Sequence, residues 1–539
     1  MSRMAKVTCL IGVLSIGTAW GQPGLGTVPV IIEKDGRHAL VVEGQPFLIL
    51  GGQAHNSSGW TGMMPQVWSA IETMHANTLE VPIYWEQIEA KQGKYDFSLV
   101  NMLLTQARGH KVHLVLLWFA TWKNGSNHYM PDWMKSEAAK YPNITGKNGP
   151  RVLGIDSPSP HTQSAMEADA KAFAEVMKYL KKADPQHTVL MVQVENEPGA
   201  WGSVRDYSVE AQKLFEGQVP AELLKPEVLK ALNKIAGARG TWQEVFGKDA
   251  DEYFQAWSVA RYIEHVAAAG KAVNSLPLYV NAALRDPITN PTANNYESGG
   301  PTDNVIPIWK AAAPSIDLLA PDIYLPESEK ALKIIELYDR PDNALFVPEI
   351  GSGEKFTRYF YPVIAHGGIG FSPFGIDDNG LGETKAETEI RLASVAQEYE
   401  MARPMMRELA KWSFEGKIKS VVELEDHGAQ TIDLGAWEAT VTFGTSRNKE
   451  ESPTRPFGKA MVVQLGENEF ILIGTLCHFT FKPIGTNAGK AWQYLKVEEG
   501  HYENGKFKLL RNWNGDETDW GGPRFGEMPV VLRTTLVVR

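Results

Sequence analysis

Across residues 47–374 the chain repeats one pattern. A short apolar run is followed by a polar, aromatic or glycine-rich stretch, and then by apolar residues at helical spacing. The runs fall at 47–50, 78–83, 112–119, 189–197, 278–281, 318–324, 345–351 and 368–374. Strands alternating with helices must run parallel, because only a crossover helix returns the chain to start the next strand in the same direction. The run at 112–119 is apolar apart from His113, as expected of a strand covered on both faces. Eight such units predict an α/β fold, a (β/α)8 TIM barrel. They spread over about 370 residues against about 250 for a minimal barrel, and the excess belongs to the loops after the strands. A hairpin at 30–42 with an Asp35-Gly36 turn is expected to plug the barrel floor, and a helical stretch at 386–412 closes the ring.

Beyond residue 416 the texture changes to alternating strands separated by Asn/Gly turns, at 421–424, 440–443, 460–465, 470–476, 494–497, 507–510 and 530–538. This predicts a C-terminal antiparallel β-sandwich over 417–539, after a barrel domain over 22–416. Residues 1–21 have the texture of a signal peptide, with Arg3 and Lys6 ahead of a short apolar run and small residues before a cleavage point near Gln22. The remaining cysteine, Cys477, has no partner for a disulfide and sits in a strand pattern, as a buried inert thiol would. An exported protein without disulfides suits a bacterial periplasm or cell surface.

Two of the eight runs end on acids. The fourth reads V-L-M-V-Q-V-E-N-E-P-G and delivers Glu197, and the seventh reads L-F-V-P-E-I-G and delivers Glu349. Strand carboxyl ends are where such barrels keep their chemistry. Two carboxylates there suit glycosidic bond cleavage, one protonating the leaving oxygen while the other attacks the anomeric carbon. Asn196 is placed to donate to a sugar hydroxyl. Glu195 and Glu197 share a face unless the chain turns between them, and Pro198 favours such a turn. Other strand-end candidates for binding a sugar are His55, Glu80, Asn124 and Tyr324. Trp85, Trp118, Trp122 and Phe374 offer faces on which a pyranose could stack.

Composition narrows the partners. The net charge is −11 and the basic residues do not gather into runs, which disfavours nucleic acid and anionic membranes. A neutral carbohydrate ligand fits better, and the 16 Trp and 17 Tyr suit sugar faces. No later segment has the roughly 20 apolar residues of a membrane span. No metal-ligand spacing, phosphate loop or dinucleotide fingerprint stands out, so neither metal nor cofactor is expected. A homo-oligomer is compatible with the sequence.

The segment Gln193-Val194-Glu195-Asn196-Glu197 resembles the Q-x-E-N-E signature of glycoside hydrolase family 35, the β-galactosidases. The resemblance extends to Gly52-Gln53-Ala54-His55, Val81-Pro82-Ile83-Tyr84-Trp85 and Gly93-Lys94-Tyr95-Asp96-Phe97. It implies a retaining mechanism with Glu197 as acid/base and Glu349 as nucleophile. The overall layout is similar to compact bacterial members associated with plant cell-wall galactosides such as xyloglucan side chains. Two departures stand out. Pro198 replaces the usual aromatic, giving N-E-P as in clan cellulases and mannanases, and the family's Ala-Glu-Trp appears as Ala120-Thr121-Trp122. The second removes a sugar-binding carboxylate that Glu80 or Asn124 is expected to replace. The alternatives are therefore an endo-glucanase or mannanase of the same clan, and a non-catalytic carbohydrate-binding protein.

Overall fold

The computed structural model describes residues 26–149, 156–377, 382–444 and 457–539. The expected signal peptide lies outside them. Three short antiparallel strands come first, β1 (Val30–Lys34), β2 (Arg37–Val42) and β3 (Gln45–Phe47). Eight parallel strands then close a barrel: β4 (Ile49–Gln53), β5 (Thr78–Tyr84), β6 (His113–Lys123), β7 (Val189–Asn196), β8 (Leu278–Ala283), β9 (Leu318–Ile323), β10 (Val347–Ile350) and β11 (Gly370–Pro373). β11 pairs back with β4. The helix Lys385–Ala402 secures this closure, because the Tyr399 hydroxyl sits between the two strands, its one hydrogen shared by Phe371 O of β11 (2.5 Å) and Gly51 O of β4 (3.0 Å).

Strand parity divides the barrel side chains into two cores. On β6, Val115, Leu117 and Phe119 point inward to join Leu190, Tyr279, Leu318 and Phe346, while Leu114, Leu116 and Trp118 point outward to the helices. Leu40 and Val42 of β2 and Phe47 of β3 join the inner group, so the N-terminal strands close the barrel floor. At that end Asn77 accepts from Leu50 N (2.9 Å) and donates to Leu48 O (3.0 Å), and Asn343 does the same for Leu319. Each amide satisfies strand groups that would otherwise be buried unpaired.

From Ile418 onward the chain forms two antiparallel sheets, one of six strands and one of four. The strands are β12 (Ile418–Val422), β13 (Gln430–Asp433), β14 (Trp437–Phe443), β15 (Lys459–Gln464), β16 (Glu469–Thr475), β17 (Cys477–Pro483), β18 (Trp492–Glu503), β19 (Lys506–Asn512), β20 (Arg524–Phe525) and β21 (Val530–Val538). Period-2 alternation gives the larger sheet two apolar faces. Met461, Val463, Ile471 and Ile473 pack on the barrel, whereas Ala460, Val462, Phe470 and Leu472 pack on the smaller sheet. A buried ion pair, Lys459 to Glu398 at 3.0 Å, crosses to the barrel's last long helix. Beyond the seven strands read from sequence, the sandwich contains β13, β17 and β20. Among the described residues no helix is long and apolar enough to cross a membrane.

Candidate active site

The end of β7 is where the chain departs most from regular geometry. Glu195 and Glu197 both adopt left-handed backbone angles, φ +62° and +43°, as does Asn124 at +52° on the neighbouring loop. Such angles cost a non-glycine residue about 1–3 kcal/mol and persist only where surrounding contacts impose them. Here the contacts are visible. Between the pairs Trp118–Val194 and Lys123–Asn196, β6 bulges away from β7. Glu195 fills the gap, accepting from the backbone N–H groups of Ala120, Thr121 and Trp122 and from the Thr121 hydroxyl. The chain does turn at Asn196. Glu195 is thereby committed to the barrel wall beside Asp169, and burial together with that neighbour holds its carboxyl well above the usual range.

Glu197 faces the other way. Its backbone N–H donates to Asn281 Oδ1 of β8 (2.9 Å), and its Oε2 accepts from Asn124 Nδ2. Lys123 in turn donates to Asn124 Oδ1. Gly199 follows, and a Cβ there would fall 2.6 Å from Glu297 Cβ, so only glycine lets this loop pass beside the next.

Glu349 stands across from it on β10, only 6% exposed. Both of its oxygens are held: Tyr324 OH donates to Oε1 (2.5 Å) and Gln53 Nε2 to Oε2 (2.9 Å). Parallel register sets Glu349 directly beside Asp322 of β9, two positions before Tyr324 and on the same face. One oxygen from each of Glu197, Asp322 and Glu349 lies within 4.8 Å of the others. Three carboxylates so close cannot all be ionised in a buried site. Burial, then Glu197, pushes Glu349 up to about 7, against which Lys123 acts. Burial, Glu349 and Glu197 hold Asp322 well above the usual carboxylate range. Asp322 Oδ2 accepts from Asn281 Nδ2 at 2.6 Å, which ties it to the residue that holds the Glu197 backbone.

The structure therefore brings together Glu197, Glu349, Asn124 and Tyr324. His55 and Phe374 stand beside Gln53, their rings 5.6 Å apart, and form an adjoining wall. Asn196 is enclosed instead of open to a ligand: its Oδ1 accepts from Gln193 and Asn281, and its Nδ2 donates to Asn124 Oδ1 (3.2 Å). The amide that reaches Glu197 is that of Asn124. Glu80 points into the barrel interior, fully buried, with Tyr279 OH donating to it at 3.1 Å; it lies too deep to touch a sugar. Trp85, Trp118 and Trp122 are likewise fully buried and present no stacking face. Strand parity explains Trp118, and Trp85, at the start of the helix after β5, is buried against it. Trp118 points outward, donating to Asp169 of the helix Gln163–Ala183, and Trp85 packs on it while donating to Glu89. Trp122 belongs to the outward side of the β6 bulge.

Five residues that the sequence reading did not single out complete the site: Gln53, Lys123, Asn281, Asp322 and Glu297. Glu297 reaches in from the loop after β8, with one oxygen accepting from Trp201 Nε1 (2.5 Å) and the other buried without a partner. Burial, then the charge of Glu197, pushes it up to about 8.

Residues 60–268, which carry Glu197, match the beta-galactosidase family model Glyco_hydro_42, and residues 395–522 match a domain of unknown function, DUF5597. A beta-galactosidase of Xanthomonas manihotis is 24% identical over 180 residues, which is 33% of this chain and 28% of that protein. The chain thus spans less than a third of the length of that curated relative. Among solved structures, similarity extends to the beta-galactosidase of Bacillus circulans sp. alkalophilus (TM-score 0.48, 14% identity, 67% of this chain and 57% of that one). It extends also to the catalytic domain of the beta-amylase of Paenibacillus polymyxa (TM-score 0.48, 11% identity, 65% and 98%). The family match is to Glyco_hydro_42 and not to family 35, whose signature the Q-x-E-N-E segment resembles. The part of the barrel that carries Glu197 is thus of glycoside hydrolase type.

Proposed function

We propose that this chain is a retaining, exo-acting β-galactosidase that releases terminal β-galactose from plant cell-wall oligo- or polysaccharides such as xyloglucan. The observation that carries the reading is the pairing of Glu197 and Glu349 at the carboxyl ends of β7 and β10, with carboxylate oxygens within 4.8 Å. A double displacement needs carboxyl groups about 5–5.5 Å apart, whereas an inverting enzyme leaves about 6.5–9.5 Å for a water.

In the first step the Glu349 carboxylate bonds to the anomeric carbon while Glu197 gives its proton to the glycosidic oxygen, and the leaving group departs. In the second, Glu197 takes a proton from water, whose oxygen bonds to the anomeric carbon and frees Glu349. The surroundings suit these roles. Tyr324 and Gln53 aim both Glu349 oxygens and stabilise its ionised form. A protonated Asp322 leaves the catalytic pair with one negative charge and one proton, the state the first step requires.

The galactose preference draws support from the Glyco_hydro_42 match and the family 35 resemblance. Exo action is consistent with the long loops above the barrel, and export to the periplasm or cell surface with the leader-like residues 1–21. A clan endo-glucanase or mannanase is the second reading, favoured by Asn196-Glu197-Pro198. Proton NMR of a galactosylated xyloglucan oligosaccharide digest distinguishes them. β-Galactose as the first-formed and sole released sugar supports the proposal. α-Galactose refutes retention, and internal fragments refute exo action.

A further inference from the structure

A cleft of about 840 Å³ opens between the loops after β7 and β8, with Gly202, Ser203, Tyr207, Arg285, Asn290 and Tyr296 in its wall. Glu197 does not line it, but the two are joined by the same pair of loops. An antiparallel bridge, Ala200 to Ser298, staples these loops with hydrogen bonds of 2.8 and 3.0 Å. Glu197 precedes the bridge on the first loop and the cleft residues follow it. On the second loop, running the opposite way, the cleft residues come before Ser298. The cleft therefore lies on the far side of the bridge from Glu197, and the Trp201–Glu297 pair stands between them.

We infer that this cleft receives the leaving group of the reaction, and that the leaving group is a neutral oligosaccharide which stacks on Trp201 as it enters. The inference rests on the galactosidase reading above and adds a binding site to it. Glu197 protonates the glycosidic oxygen, so the leaving group must depart on the Glu197 side, towards this pair. Trp201 is 46% exposed although its indole N–H is already bonded to Glu297, which fixes the ring while leaving a face open to a pyranose.

Deeper in, Arg285 and the acids Asp249, Asp251 and Glu252 are already hydrogen-bonded within the protein, while Lys147 and Lys248 complete the charged lining. Arg285 forms two bonds to Asp303 (2.6 and 2.7 Å), and Asp251 accepts from Arg205 (2.5 Å). Asp249 accepts from Lys234 (2.7 Å), and Glu252 accepts from Tyr296 and Asn304. An ionic ligand would gain little from groups so committed, whereas their remaining lone pairs and N–H groups suit hydroxyls. The volume is in the range that encloses a drug-sized ligand, larger than one sugar ring. Tyr207, with the Arg205 guanidinium 3.9 Å from its ring centre, supplies a second rigid aromatic surface.

The test is calorimetric titration of full-length protein carrying Glu349→Gln, which blocks turnover, with cellotetraose, mannotetraose and xylotetraose, none of which contains galactose. Saturable binding of at least one is expected, weakened about tenfold by Trp201→Ala or Tyr207→Ala and less by Trp201→Phe. Absence of binding by all three at millimolar concentration overturns the inference, as does binding that neither alanine variant weakens. The unsubstituted enzyme is assayed in parallel on 4-nitrophenyl β-galactoside. Nitrophenol release without oligosaccharide binding sinks the cleft and keeps the galactosidase reading. Binding that responds to Trp201 without nitrophenol release keeps the cleft and sinks the galactose assignment.

Discussion

Glu80→Gln should change how the stability of the barrel depends on pH. Glu80 is completely enclosed in the barrel interior, with the hydroxyls of Tyr279 and Ser372 beside it, and burial pushes its carboxyl up to about 8. In the unfolded chain the same group titrates near its ordinary value. Between about pH 4.5 and 8 the native state therefore holds a proton that the unfolded state releases, and stability falls as pH rises. A gap from 4.5 to about 8 corresponds to about 1.4 kcal/mol per pH unit and roughly 5 kcal/mol in all. Glutamine has the shape of the protonated acid. Its carbonyl can accept from Tyr279 and its amide can donate to Ser372, so the variant should match the parent near pH 4.5 and exceed it progressively towards pH 8. Glu297 and Glu349 add slopes of the same sign to both proteins, so the difference between the curves isolates Glu80. Urea midpoints measured at half-unit pH intervals supply the assay. Parallel curves for the two proteins would refute the claim that the native barrel holds Glu80 protonated at neutral pH.

Three further substitutions probe the site itself. Tyr324→Phe removes the 2.5 Å bond to Glu349, a hydrogen bond to a charged group worth about 1.5–3 kcal/mol, and should lower kcat/KM about 10- to 100-fold; a loss below threefold contradicts the contact. The acidic limb of kcat/KM should lie above the ordinary carboxylate value, because burial raises the carboxyl of Glu349, which must be ionised to attack; Lys123→Met withdraws a cation that favours ionisation and should move that limb upward, and a downward move would contradict the assignment. Asp322→Asn keeps a neutral group against Asn281 and should leave the alkaline limb within about half a pH unit of the parent. A fall of a full unit would mean that Asp322 carries charge in the working enzyme.

The barrel was legible because each strand is a short apolar run with a helix-period stretch behind it, and the meeting of Glu197 with Glu349 because two such runs end on an acid. Side-chain direction was harder to read. Trp118 sits one residue from the inward-pointing Leu117 and Phe119, so a single step of parity separates a stacking face from the helix layer. Parity could also have found Asp322, which shares the face of Tyr324 two residues later. The Glu195 turn and the β6 bulge depend on one another, and neither strand shows them alone. Glu297 and Trp201 meet through the Ala200–Ser298 bridge across nearly a hundred residues, a pairing that no local pattern announces. The contact of Asn124 with Glu197 was hidden for a related reason: that amide is supplied by the loop after β6 and not by the strand that carries the acid.

Incubation with an activated 2-deoxy-2-fluoro-β-galactoside, followed by intact and peptide mass analysis, tests the central claim most directly. The fluorine slows both transition states while the good leaving group lets the covalent intermediate form and persist. A single fluorogalactosyl adduct on Glu349 is the predicted result, and it would establish the nucleophile, retention and the sugar together. An adduct on another residue, or labelling of Glu349 by the matching glucosyl or mannosyl reagent and not by the galactosyl one, would contradict the account.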